Sequence, residues 1–70
     1  MNTNSNIFPD NKEWIEKISV IGVFEKNITQ WIEDCKNGSL TKEDVLSATK
    51  KVSEYRNDPD LVEVIKQKLN

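Results

Sequence analysis

With no histidine in the chain, proton transfer, nucleophilic attack and metal binding would fall to its carboxylates, its lysines, Cys35 and Tyr55. General acid–base work needs one such group tuned toward neutral pH in a sheltered cleft. Glu25 is the one acid that falls on an apolar stripe, and only if a single helix runs through residues 11–36. Buried there, its carboxyl would be pushed above the usual range and could serve as a catalytic group. If the helix breaks near Gly22, Glu25 faces water instead, and that is the reading adopted.

Cys35 closes the same stripe. A nucleophilic thiolate needs a base or a positive field, but Cys35 is flanked by Glu33, Asp34 and Lys36. It is expected to be a small core residue. A metal site would need more donors than one Cys and no His supply, and no acid spacing matches a calcium loop. Asp58-Pro59-Asp60 is close-set acid whose simpler role is to open a helix. The only glycines are Gly22 and Gly38, so no glycine-rich phosphate loop exists. The chain is therefore read as non-catalytic and without a cofactor.

Net charge narrows the partners. The formal charge is −2 and the isoelectric point about 5.0. Residues 1–38 hold four Lys against six Asp or Glu, and residues 39–70 hold six Lys or Arg against six acids. Neither half offers a basic footprint for nucleic acid. The helix after Gly38 carries Lys42, Lys50, Lys51 and Arg56, but Glu43, Asp44 and Glu54 are interspersed. A nucleic-acid accessory role on the Lys50-Lys51-Arg56 face is thus the weakest of the binding readings. The longest apolar run, Val20 to Phe24, is far short of the roughly 20 residues that span a bilayer, so no membrane partner is expected. No basic-then-apolar leader is seen, and one cysteine cannot make an internal disulfide. These features predict a cytoplasmic protein, in which the acceptor patterns Asn27-Ile28-Thr29 and Asn37-Gly38-Ser39 are coincidental. Frequent Asn, Lys and Ile suggest a bacterial or phage source.

The elements follow from helix-start signals. Asp10 precedes Glu13 by three residues, Asn27 precedes Gln30 by three, and Thr41 precedes Asp44 by three. In each pair the first side chain can accept from backbone N–H groups left unpaired at a helix start. Asp58 precedes Pro59, whose missing N–H suits a first helical position. Apolar residues recur at helical spacing: Trp14, Ile15, Ile18 and Ile21; then Phe24, Ile28, Trp31, Ile32 and Cys35; then Val45, Ala48, Val52 and Tyr55, with Leu46 beside them; and last Leu61, Val62, Ile65 and Leu69. Phe8 stands where it can staple back onto Trp14 or Ile15. Asn37-Gly38 closes a helix.

The expected architecture is all-α, a small bundle of short helices at about 10–22, 28–36, 41–56 and 59–69. The tail 1–9 precedes a single domain, 10–70. The first two helices could also be one kinked helix with a coiled-coil-like seam, and a β-hairpin turning at Glu25-Lys26-Asn27 is a third arrangement.

A core this small rarely yields more than about 3–5 kcal/mol, which favours burial against another protein or a second copy. Large aromatics carry much of the energy at protein interfaces. Trp14, Phe24, Ile28 and Trp31 are therefore the candidate interaction residues. The function expected is a small helical protein–protein interaction module, acting as a regulator, inhibitor or adaptor. The alternative is a subunit that self-associates through residues 14–35.

Overall fold

The structure, a computed structural model, describes Phe8 and residues 11–70. Four helices follow in order: α1 (Lys12–Ile18), α2 (Val23–Asn37), α3 (Lys42–Arg56) and α4 (Leu61–Leu69). Among the described residues there is no strand, so the hairpin alternative is excluded and the all-α bundle stands. The expected tail falls outside the described residues apart from Phe8, and so does the expected cap Asp10.

The start of α1 is capped one residue later than expected. Asn11 is extended, and its Oδ1 accepts from the Trp14 backbone N–H at 2.8 Å. The helix ends at Ile18, four residues short of the expected Ile21-Gly22 end (18 against 22). The reason is Gly22, whose φ of 94° is closed to ordinary L residues. An added Cβ would meet nothing within 4 Å there, so backbone conformation, not space, selects glycine.

Asn27 is not a cap. It lies inside α2, and its Nδ2 donates to the Val23 carbonyl at 2.8 Å. The helix begins at Val23 because Glu25 reaches back and accepts from the Gly22 N–H at 2.7 Å. That is the acidic half of a capping box; glycine has no side chain to supply the other half. Two helices with a break at Gly22, the arrangement adopted from sequence, are therefore correct, but the second starts five residues earlier than its expected 28 (23 against 28).

The remaining ends are local. Thr41 Oγ1 accepts from the Asp44 N–H at 3.1 Å, as its spacing predicts. Both α2 and α3 end in the paired-bond turn that a left-handed residue allows. At Gly38 (φ 85°) the N–H groups of Gly38 and Ser39 donate to Cys35 and Asp34. At Asn57 (φ 56°) those of Asn57 and Asp58 donate to Glu54 and Ser53. The last helix starts at Leu61 rather than Pro59, with Asp60 as its flanking residue and the Asp58 carbonyl accepting from the Leu61 N–H at 3.2 Å.

The helices share one apolar cluster: Ile18, Phe24, Ile28, Trp31, Leu40, Val45, Ala48, Val52 and Ile65. Val45 and Val52 are completely buried. Leu46, Leu61 and Leu69 pack against the cluster from its edge, as the apolar periodicity predicts. Tyr55 does not; it is 54% exposed, so the apolar stripe of α3 ends at Val52. Two buried hydroxyls on α3 are satisfied within their own chain segment: Thr49 Oγ1 donates to the Val45 carbonyl at 2.8 Å, and Ser53 Oγ to the Asp58 carbonyl at 2.6 Å.

Ser19 differs. It is 4% exposed, and its Oγ finds no hydrogen-bond partner among the described residues. An unpaired buried hydroxyl costs stability, and replacing it with a methyl removes that cost. Ser19→Ala is expected to raise unfolding stability by about 0.5–1 kcal/mol, read as a higher urea midpoint. A lower midpoint would show that the hydroxyl is paired in solution.

Candidate functional site

The sequence-predicted residues do meet, but inside the fold. Phe24, Ile28 and Trp31 are 1%, 6% and 8% exposed. Trp14 is half-buried at the edge of the same cluster. Phe8 lies over both indoles, 5.8 Å from the Trp14 ring and 4.5 Å from the Trp31 ring. The two indoles are 6.4 Å apart, and Phe24 meets Trp31 edge-on at 6.0 Å. These separations suit aromatic packing. Phe8 thus serves as the expected staple, and α1 with Phe8 covers the face of α2 that would otherwise have been open.

The densest polar network lies at the α1–α2 turn and is built by Arg56, the last residue of α3. Its Nε donates to the Ser19 carbonyl at 2.7 Å and Nη2 to the Val20 carbonyl at 3.1 Å. Nη1 donates to Glu25 Oε2 at 2.9 Å and Nη2 to Oε1 at 3.3 Å. The guanidinium carbon also lies 5.4 Å from the Phe24 ring centroid, in cation–π range. The planar fork of arginine donors suits such a set of acceptors, whereas lysine offers a point charge. Arg56 therefore points into the fold, and the Lys50-Lys51-Arg56 face loses its arginine.

Glu25 neither sits buried with a raised pKa nor faces water unpaired. The hydrogen bond from Arg56 is the main cause that holds its carboxyl down to about 2, from 4.5; burial opposes it, and the Gly22 N–H adds a smaller lowering effect. Its chemistry is that of a permanently ionised anchor, not of a general acid or base at neutral pH. Cys35 sits half-buried at the far end of α2, its Sγ donating to the Thr41 carbonyl at 3.6 Å. Burial, with Asp34 and Asp44 nearby, pushes its thiol up, the direction opposite to that of a reactive thiolate. Among the described residues, no group of three or more Cys, Asp or Glu side chains is placed to hold a metal ion. No helix there is long and apolar enough to cross a membrane.

Two apolar surfaces remain among the described residues. The first is the turn that Arg56 clamps: Ile21 is 85% exposed, Val20 55% and Val23 39%. The sequence placed Ile21 on the apolar stripe of the first helix. The signal that places it outside is its neighbour Gly22, which breaks the helix before the stripe can return. The second is a groove of about 520 Å³ between α2 and α4. Ile28, Ile32, Leu61 and Val64 line it, with Glu33 on the α2 rim and Lys68 on the α4 rim.

The chain matches no protein-family model, no curated protein and no solved structure. What it does must therefore be read from its own surface.

Two measurements test the clamp. Arg56→Lys keeps the charge but cannot bond two carbonyls and a carboxylate together, and is expected to cost about 2 kcal/mol of unfolding stability. For Glu25, the lowered folded pKa means that its contribution is full above the unfolded value of 4.5 and is lost as pH falls toward about 2. The side chain is 53% exposed, so solvent screening reduces that contribution to about 1 kcal/mol. Wild type should exceed Glu25→Gln by this amount at neutral pH, and the two urea curves should converge near pH 2. A difference that stays constant with pH would mean that the ion pair gives no net stability.

Proposed function

We propose that this protein is a non-catalytic protein–protein interaction module, a regulator, inhibitor or adaptor, that presents Val20, Ile21 and Val23 to another protein. One observation carries the reading: an isoleucine that is 85% exposed stands at the tip of a turn fixed by Arg56. Burying such a side chain on a partner is worth about 1.5–3 kcal/mol. A turn already fixed loses little conformational entropy on binding. The acidic surface and single cysteine suit a cytoplasmic setting, where thiols stay reduced.

The Trp14, Phe24, Ile28 and Trp31 group supports this surface from within rather than forming it. Phe24 follows Val23 in α2 and packs under Arg56.

The test is affinity capture from a lysate of the source organism, with immobilised wild type, Ile21→Asp and Lys50→Glu compared by mass spectrometry. Lys50 is exposed on α3 and serves as the control. Proteins retained by wild type and Lys50→Glu but lost with Ile21→Asp, whose circular dichroism should stay helical, are the expected result. Capture that is the same with all three would sink the Ile21 surface.

A further inference from the structure

The α2/α4 groove carries a charge pattern that fits a second copy of the chain. The directions of the helices fix which ends meet. Arg56, at the end of α3, pairs with Glu25 at the start of α2, and α4 begins a few residues after Arg56. At the other end, Lys68 and Leu69 share a small hollow with Ile32, Cys35 and Lys36. The two helices therefore run in the same sense along the groove, and Glu33 and Lys68 stand near the same level on opposite rims.

A two-fold axis along the groove would lay α2 of each copy over α4 of the other without changing level. Glu33 of each copy then faces Lys68 of its mate, twice per pair, while Val64, 47% exposed in the monomer, closes onto apolar residues of the opposing wall. The alternative axis, across the groove, sets α2 against α2 and brings acid toward acid. Of the three charged residues that line the groove, Glu25 is held by Arg56, and Glu33 and Lys68 are available. Lys68 makes no ion pair with a described residue, and Glu33 has only an exposed contact with Lys36 at 3.9 Å. Such a contact contributes little. An isologous interface needs one patch complementary to itself, and acid on one rim with base on the other meets that need.

We propose that the α2/α4 groove is the interface of a homodimer, in which Glu33 of each copy pairs with Lys68 of the other. The Glu33–Lys68 contacts lie toward the end of α2, away from the Ile21 turn, while the groove's other end reaches Phe24 and Glu25 beside that turn.

Sedimentation equilibrium on the full chain, from low to high micromolar concentration, tests it. Wild type should approach twice the 8.1 kDa of one chain. Glu33→Lys alone and Lys68→Glu alone each set like charges together twice, and each should weaken self-association at least about tenfold. An equimolar mixture of the two single variants should regain the dimer mass. The lysine that replaces Glu33 in one variant then meets the glutamate that replaces Lys68 in the other, and the native pair survives at the second contact. A change confined within one chain cannot produce that rescue. A wild-type mass of 8.1 kDa throughout would overturn the dimer and leave the groove to a different protein. Single variants that dimerise as wild type, or a mixture that stays monomeric, would also overturn it. Ile21→Asp should leave the dimer intact, so failure of the partner surface and failure of the dimer are read separately.

Discussion

The Arg56 guanidinium joins the end of α3 to the end of α1, to the turn after it and to the first turn of α2. Without it, the Ser19 and Val20 carbonyls would lose their charged donors, and Glu25 would lose the cation that holds its carboxyl below the usual range. Charge-assisted bonds of this kind are roughly twice as strong as neutral ones. The side chain is only 15% exposed, so water competes weakly. In a chain with so little core, one arginine that fixes three chain segments has a large share of the available stability.

The same network explains why α1 and α2 are two helices. Gly22 supplies the backbone conformation, Glu25 caps the new helix, and Arg56 clamps the carbonyls that the break exposes. Each depends on the others. Glu25 in a continuous helix would have been a buried acid on an apolar seam, a costly arrangement. Breaking the helix replaces that burial with an ion pair at the protein's edge. The break also folds α1 back so that Trp14 and Phe8 cover Trp31. The aromatic group is thereby used to close the core.

What was legible in the sequence was local. Thr41 with Asp44, the Gly38 ending and the Val45-Ala48-Val52 stripe depend on residues within a few positions of one another, and the fold follows them. The Phe8 staple is of the same kind. Asn27 misled because a polar residue with Gln30 after it resembles a cap whether or not a helix has already begun. What decided the matter was Arg56, 31 residues from Glu25, and no spacing rule reaches that far. Trp31 misled for a related reason: whether a large aromatic is core or surface depends on which helix folds over it. The same is true of Ile21, whose place on the stripe is cancelled by the glycine beside it.

The two apolar surfaces have different physical origins. Scattered exposed apolar side chains are ordinary in small proteins, and Tyr55 is one. Val20, Ile21 and Val23 flank Gly22 within four residues, and their exposure follows from Gly22 and the clamp: the geometry that caps α2 turns Ile21 outward. The α2/α4 groove arises because α4 is short and packs mainly on α3, leaving one wall of α2 uncovered. A dimer through the groove would hold two Ile21 turns in one particle. For a partner with repeated sites, linking two weak contacts raises the effective affinity through local concentration. A single exposed isoleucine, too small to bind tightly alone, would then suffice. The proposed interface and the proposed docking turn thus supply what the other lacks: the dimer contributes valency, and the turn contributes the contact.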